Sequence, residues 1–205
     1  TIDAIEGCVR QTAEAKVEVI KNRSKETDPI KGYQIKKFIP FDNSVKYTEA
    51  LVYDVQARLD RRIIKGAPQV IVKMCGGDSK AEKVIEEYAY RGLRTLVVAM
   101  TFDEELEKFE LIGMISLMDP PRPDSGKTIK ECSELGINVK IITGDQLAIA
   151  KEVAYRMGMD RVILDANQLV DTTIPAKELR SRIIRSDGFA QVTPEQKFKV
   201  VDSLQ

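Results

Sequence analysis

The sequence contains no histidine among its 205 residues. Zinc sites commonly use imidazole ligands, and Ser-His catalysis depends on an imidazole base, so both are effectively excluded. Three cysteines, Cys8, Cys75 and Cys132, form no CxxC pair. An odd cysteine count without paired spacing fits a reducing compartment rather than a disulfide scaffold.

Net charge and long apolar runs are also lacking. Lys and Arg total 32 and so do Asp and Glu, so a neutral chain gives no electrostatic case for nucleic-acid binding. No window approaches the roughly 18 apolar residues of a membrane span, and the first residues lack the n-region and h-region of a signal peptide, so we expect none. The sequence starts at Thr1 and stops at Gln205 within a helical pattern, so we expect a piece of a longer protein.

Residues 1 to about 118 combine helical and strand patterns without regular alternation. The apolar patterns typical of strands cover 32–41, 49–55, 61–65, 94–100 and 109–117. Pro68 favours a short helix over 68–75, because proline suits the first helical position. We therefore predict an α+β region built on a mostly antiparallel sheet.

Three prolines in "DPPRPD", residues 119–124, predict a stiff, extended segment that neither helix nor sheet can absorb. After it, helical and strand patterns alternate from "DSGKTIKECSELG" to "PEQKFKVVDSL". This alternation predicts an α/β region with a parallel sheet flanked by helices. The proline segment is the expected domain boundary.

Thr143 ends the strand pattern "VKIIT", and Gly144 and Asp145 follow it, before a helical pattern. In open α/β sheets, ligands bind beyond the carboxyl ends of the strands, where the next helix offers unpaired amides to phosphate. The alternative is that Asp145 caps the helix and Gly144 makes the tight turn. Three residues are too few to be a specific signal of a phosphate site, so the tripeptide alone favours the helix cap.

Two further stretches have two interpretations each. In "KGAP", Lys65 and Gly66 suit a cationic pocket that closely approaches an anion, but Lys65 equally suits an exposed strand end. In "FIPFDNSVK", Phe41 could stack on a purine, with Lys46 five positions on, or belong to the core. A lone phenylalanine favours the core.

The order of five motifs is more informative than any one of them. "KGAP", "RGLRTL", "DPPRPDS", "VKIITGDQLAIAKEVAYRMGM" and "FAQVTPEQKFKVVDSLQ" resemble the cytoplasmic part of P-type ATPases over nearly the whole chain. "DPPRPDS" and "ITGDQLAIAKE" look most like the plasma-membrane proton pumps, while calcium and sodium–potassium pumps share looser versions. The resemblance implies a nucleotide-binding (N) domain at 1–118, inserted into a phosphorylation (P) domain. Residues 119–205 would then be the carboxyl-side part of that P domain, with its haloacid-dehalogenase-like Rossmann fold.

The resemblance implies an ATP pocket on the first domain. Phe41 matches the aromatic residue that stacks on adenine, and Glu6 matches the carboxylate near the adenine amino group. Lys46 and Lys65 match the basic residues that line the pocket, with Gly66 beside them.

The resemblance also implies a phosphoryl site on the second domain. Thr143, Gly144 and Asp145 match the loop that binds the transferred phosphoryl group. Lys197 in "PEQK" matches the lysine that contacts the phosphorylated carboxylate. Positioning and charge neutralisation carry most of phosphoryl transfer, and these residue types supply both.

Three residues are implied to connect the domains. Arg94 in "RGLRTL" matches the arginine that reaches the phosphates and bridges the two domains. Asp119 and Arg122 in "DPPR" match the hinge, about which we expect the domains to move.

As a whole, the resemblance implies a piece of an ATP-driven cation pump, proton-type by preference, in the plasma membrane. ATP and Mg²⁺ are the implied cofactors, with the metal ligands outside this chain, and the implied partners are an actuator domain and transmembrane helices. The family's phosphorylated "DKTGT" and magnesium-binding "TGDGxND" motifs are absent from the sequence. The alternatives are a pump for calcium, magnesium or sodium, a soluble haloacid-dehalogenase-class phosphatase, and a non-catalytic nucleotide-binding module.

Overall fold

The computed structural model describes residues 7–9, 11–12, 32–171 and 173–204. The chain divides into two compact units. Unit 1 comprises Thr1–Glu82 and Thr95–Ile115, and unit 2 comprises Lys83–Arg94 and Ser116–Gln205. The last division, between Ile115 and Ser116, falls close to the predicted boundary at 118/119, but Lys83–Arg94 groups with the later residues. The assignment of N and P domains stays a prediction.

Unit 1 is organised around a five-stranded sheet whose strands are neighbours in chain order. The strands are β1 (Tyr33–Ile39), β2 (Tyr47–Asp54), β3 (Leu59–Gly66), β4 (Arg94–Thr101) and β5 (Phe109–Leu117). The pairs β1–β2, β2–β3 and β3–β4 are antiparallel, which confirms the predicted sheet type for these strands. The ends of β4 and β5 extend into unit 2.

Most buried residues of β3 and β4 lie on one face of the sheet. Along β4 the buried residues alternate with more exposed ones, as a half-buried strand requires. Helix α1 (Pro68–Met74) has its proline in the first turn, as predicted, and buries Ile71 and Val72. Helix α2 (Ser79–Tyr90) follows and crosses from unit 1 into unit 2.

Unit 2 alternates helices with short parallel strands. Its elements are α3 (Ser125–Glu134), β6 (Ile141–Ile142), α4 (Leu147–Arg156), β7 (Ile163–Asp165), a 3₁₀ turn (Ala166–Leu169), α5 (Ala176–Arg185), β8 (Gly188–Ala190) and α6 (Pro194–Leu204). The strand order is β6-β8-β7, and both pairings are parallel. The predicted α/β arrangement of this region is confirmed.

The core of unit 2 surrounds its central strand, β8. Phe189 and Ala190 are fully buried, and apolar residues of α4, α5 and α6 pack near them. Gly188 opens the strand against the carbonyl of Ile141, where a Cβ atom would overlap the neighbouring backbone. Within the part of the chain that the structure describes, no helix has the length and apolarity to cross a bilayer.

Candidate functional site

The loop Thr143–Asp145 leaves the carboxyl end of β6 in unit 2. Its backbone forms hydrogen bonds with β8 and with the segment that follows β8. Thr143 N–H donates to the Phe189 carbonyl at 3.0 Å, and the Thr143 carbonyl accepts from Val192 N–H at 3.0 Å. The Asp145 carbonyl accepts from Gln191 N–H at 2.9 Å. The loop therefore has a defined position at the edge where ligands of α/β sheets bind.

Side chains complete this site. Arg94 Nε and Nη2 donate to the two carboxylate oxygens of Asp145 at 2.7 and 2.8 Å. The Thr143 hydroxyl donates to Asp145 Oδ2 at 3.0 Å and accepts from the Asp145 amide at 3.1 Å. A two-point arginine–carboxylate pair fixes orientation as well as distance. The hydrogen bond to Asp145 raises the pKa of the Arg94 guanidinium, and the charge of Asp119 adds to that rise.

The prediction that Asp145 caps the following helix is wrong. The N-cap of α4 is Gln146, and its side chain makes no capping hydrogen bond. The Asp145 carboxylate instead binds Arg94 and the Thr143 hydroxyl. The two-point pair with Arg94 uses both carboxylate oxygens and orients the carboxylate toward the guanidinium. Phosphate binding by this loop stays a prediction.

Lys197 lies exposed in the first turns of α6. Thr193 N–H donates to Gln196 Oε1 at 2.9 Å, and Gln196 N–H donates to the Thr193 hydroxyl at 3.3 Å. This capping box fixes the start of α6 next to Val192, which pairs with Thr143. Sequence reasoning missed it, although "TPEQ" carries its spacing. Among the described residues, no hydrogen bond joins Lys197 to Thr143.

The predicted hinge residues lie exposed between β5 and α3. The Arg122 carbonyl accepts from Ser125 N–H at 3.0 Å, at the start of α3. The negative charge of Asp119 helps to raise the pKa of Arg94. Their role as a hinge stays a prediction.

The second candidate site belongs to unit 1 and begins at the loop after β1. Asp42 accepts hydrogen bonds from the Ser44 amide at 2.6 Å and from the Ser44 hydroxyl at 2.5 Å. These bonds lower the pKa of Asp42. Lys46 N–H donates to the Asp42 carbonyl at 2.7 Å, and Lys46 has a φ of 64°. A lysine in the left-handed region shows that the turn imposes this backbone conformation.

Lys46 and the "KGAP" motif meet at the end of the β2–β3 pair. Thr48 lies opposite Lys65, and Tyr47 lies opposite Gly66. Ala67 N–H donates to the Lys46 carbonyl at 3.0 Å. A Cβ atom at Gly66 would overlap the Lys46 carbonyl and lie 2.5 Å from Tyr47 Cα. The glycine is therefore required by a close approach of backbone to backbone, which brings the two predicted lysine positions together.

Phe41 precedes this turn with 54% of its surface exposed. The interpretation of Phe41 as a core residue is therefore wrong, because its ring is largely in solvent. A ring exposed in the loop that leads to Lys46 can offer a flat apolar face to a base. Stacking on adenine stays a prediction. Glu6, the remaining residue implied for this pocket, lies outside the described residues.

The residues present fit the two implied cofactors differently. Phe41, Lys46 and Lys65 supply an aromatic face and cations, which suit a nucleotide. In the described ranges, no group of three or more histidine, cysteine or acidic residues could hold a metal ion. Both oxygens of Asp145 are engaged by Arg94. The described residues therefore do not fit Mg²⁺, and we assign no step to that ion.

Comparison with known proteins defines the class. The sequence matches the haloacid dehalogenase-like hydrolase family over residues 8–205. The chain belongs to this family. Its parallel sheet, with the Thr143 loop at the carboxyl end of a strand, agrees with that membership.

One relative gives a closer comparison. The chain is 39% identical over 186 residues to a protein of Methanocaldococcus jannaschii named "Putative cation-transporting ATPase". The aligned part covers 87% of this chain and 22% of that protein. The chain thus spans about a fifth of the length of this relative.

Proposed function

We propose that this chain is the nucleotide-binding and phosphorylation-domain portion of a P-type cation-transporting ATPase. The whole protein would couple ATP hydrolysis, through an aspartyl-phosphate, to ion transport, with proton export as the preferred reaction. The observation that carries the proposal is the 39% identity, over 186 residues, to the protein named "Putative cation-transporting ATPase". The order of the five motifs supports the same class.

In this proposal, unit 1 binds ATP. The exposed ring of Phe41 stacks on adenine, and the cations of Lys46 and Lys65 meet the phosphates. The β2–β3 pairing and the Ala67–Lys46 hydrogen bond support this assignment, because they hold the two lysine positions together. Nucleotide affinity should fall as salt rises, since exposed charges are screened.

Unit 2 would receive the phosphoryl group. The Thr143 hydroxyl and the Gly144 backbone frame it, and Lys197 supplies a positive point charge. Arg94 would change partner, because its guanidinium is engaged by Asp145 in the structure. The ligands of Mg²⁺ would lie outside this chain.

The proposal includes partners and a location. The actuator domain and transmembrane helices of the same pump would bind this portion, which would lie on the cytoplasmic side of the plasma membrane. No nucleic-acid partner is proposed, in keeping with the zero net charge. A calcium, magnesium or sodium pump is the alternative within the class, and a soluble phosphatase is the alternative outside it.

Calorimetric titration with ATP and with adenosine tests nucleotide binding. Lys65→Ala should weaken ATP binding by about 5-fold, as the loss of one screened charge of about 1 kcal/mol implies, and should leave adenosine binding unchanged. Lys73→Ala is the matched control, because Lys73 is an exposed lysine on α1 of the same unit. Equal losses for both ligands, or an equal loss in the control, would contradict the phosphate assignment.

A second test concerns the reaction. Because "DKTGT" is absent, we expect this polypeptide to form no acyl-phosphate. The measurement is incubation with magnesium and radiolabelled ATP, followed by an acid quench. A stable label that hydroxylamine removes would show that the chain contains its own nucleophile.

A further inference from the structure

Residues 91–94 follow the end of α2 and lie within unit 2, with Arg94 as the last of them. Leu93 N–H donates to the Tyr88 carbonyl at 2.9 Å, and Gly92 has a φ of 76°. This is the Schellman arrangement that ends many helices at a glycine. A Cβ atom at Gly92 would lie 3.1 Å from Glu152 Cγ and 3.8 Å from Arg156 Nη2. The turn therefore packs directly on α4.

Arg156, the last residue of α4, holds this turn in place. Its Nη2 donates to the Arg91 carbonyl at 2.9 Å, and its Nε donates to Glu152 Oε1 at 3.0 Å. Its Nη1 lies 3.1 Å from the sulfur of Met118. The Arg91 carbonyl lies just beyond the carboxyl end of α2, where a cation is favourable to the helix dipole. One guanidinium thus joins the end of α2 to the end of α4.

The spacing on α4 places these contacts on one side of the helix. Glu152 and Arg156 are four residues apart and share a face of α4, and Asp145 lies just before the N-cap of this helix, Gln146. Ten helical residues span about 15 Å, and the three residues from Arg91 to Arg94 span at most about 10 Å. The Arg94 side chain completes the distance to Asp145. Residues 91–94 therefore run along α4 from its last residue toward its start.

We infer that Glu152 and Arg156 are a positioning pair, which fixes residues 91–94 along α4 so that the Arg94 guanidinium meets the Asp145 carboxylate. The pair acts through Arg94 and does not itself contact the predicted phosphate loop. The inference deepens the proposed function, and rests on it only for the statement that Arg94 serves phosphates. The positioning itself can be tested without nucleotide.

The chemistry of the pair requires arginine at 156. Its planar fork presents Nε to Glu152 and Nη2 to the Arg91 carbonyl in one rigid geometry. A lysine ammonium is a single point and cannot hold both acceptors in the same way. Glu152 also accepts from Arg161 at 3.3 Å, which further fixes the carboxylate.

The experiment measures the coupling between Arg94 and Asp145 in different backgrounds of the full chain. The parent, Arg94→Ala, Asp145→Asn and the double variant form a double-mutant cycle, in which the measured quantity is the equilibrium constant of unfolding. Because the two side chains are 44% and 21% exposed, the coupling should be about fivefold at most. We expect it to vanish in the Arg156→Ala and Arg156→Lys backgrounds.

Arg182→Ala is the matched control. Arg182 pairs with Glu178 at the same four-residue spacing on α5, with 44% of its side chain exposed against 37% for Arg156. In this background the Arg94–Asp145 coupling should equal that of the parent. Equal coupling in the Arg156→Ala and Arg182→Ala backgrounds would overturn the inference, as would full coupling in Arg156→Lys.

A spectroscopic readout separates positioning from general stability. The Arg94 Nε–H resonance is identified by its loss in Arg94→Ala, and its exchange with solvent should become at least about threefold faster in Arg156→Ala. If Arg156→Ala fails to fold, Glu152→Gln keeps the side-chain shape and should give the same direction. Parental exchange rates in a folded Glu152→Gln protein would then overturn the inference.

Nucleotide titration of the same proteins separates this inference from the proposed function. A parent chain that binds no ATP would contradict the proposed function while the coupling and exchange data still decide the positioning pair. If the parent binds ATP, Arg156→Ala should lose affinity to the extent that Arg94→Ala does. An undiminished affinity in Arg156→Ala, with a loss in Arg94→Ala, would overturn the positioning role.

Discussion

The two units build their candidate sites by different physical means. In unit 1, backbone meets backbone, because Gly66 leaves room for the Lys46 carbonyl and the strand pairing brings the lysine positions together. In unit 2, a side-chain ion pair between Arg94 and Asp145 closes over a loop after a parallel strand. A Cβ atom at Gly144, in that loop, would have only the Val192 carbonyl within 4 Å, at an ordinary distance of 3.8 Å. Two glycines in comparable motifs therefore serve different needs.

The sheets differ in the same sense. All three residues of β8 in unit 2 are buried, whereas six of the seven residues of the edge strand β1 in unit 1 are exposed. Parallel sheets are covered on both faces, and antiparallel sheets can leave one face in water. A loop on a buried parallel sheet is fixed by its surroundings, while a site beside an exposed edge depends on its own turn and glycine.

The comparison of glycines gives the largest expected effect. Gly66→Ala should reduce the free energy of unfolding by about 3 kcal/mol, because the new methyl group overlaps the Lys46 backbone. Gly144→Ala should cost less than about 1 kcal/mol, since its site has room. Urea unfolding followed by circular dichroism measures both. Equal costs for the two variants would show that the close approach at Gly66 is not what distinguishes the units.

The next largest expected effect on the free energy of unfolding concerns Lys140 in unit 2. Lys140 Nζ donates to the Ile184 carbonyl at 2.8 Å and to the Ser186 carbonyl at 2.5 Å, at the end of α5. Lys140→Met should cost about 1.5–3 kcal/mol, because two carbonyls lose a charged donor. Lys127→Met is the control, since Lys127 is an exposed lysine of α3 in the same unit. Urea unfolding followed by circular dichroism measures the stability of both variants. Equal stability of the two would contradict the role of Lys140.

The smallest effect concerns the turn of unit 1. Hydrogen bonds from Ser44 lower the pKa of Asp42, so the ionised carboxylate is favoured in the folded state. Its contribution is therefore present above the unfolded pKa, about 4, and is lost as pH falls through the lower folded value. NMR titration of Asp42 should give a pKa below that of the Ser44→Ala variant. Identical values in the two proteins would show that the turn does not hold the carboxylate.

The sequence was sufficient to predict the order of elements. Apolar periodicity predicted the antiparallel strands of unit 1, and regular alternation predicted the parallel sheet of unit 2. Both signals are local, because each strand or helix carries its own repeat. Pro68 likewise marked the start of α1 through a local backbone preference.

The site contacts were harder to predict for a physical reason. Arg94 and Asp145 are 51 residues apart. No local pattern shows that the Asp145 carboxylate will pair with a distant guanidinium and not cap the helix that follows it. The exposure of Phe41 depends on which strands cover it, and single phenylalanines are usually buried. Motif order placed the residues of each site, but side-chain partners required the fold.

The central claim is that unit 1 has a nucleotide site centred on Phe41, and two exposed phenylalanines allow a direct test. Phe41 and Phe38 are 54% and 60% exposed, so removing either ring should leave the fold intact. ATP is titrated by calorimetry into the parent, Phe41→Ala and Phe38→Ala chains. Phe41→Ala should bind about 5- to 150-fold more weakly, as loss of 1–3 kcal/mol of stacking implies, and Phe38→Ala should bind as the parent does. Parental affinity in a folded Phe41→Ala protein would contradict the account.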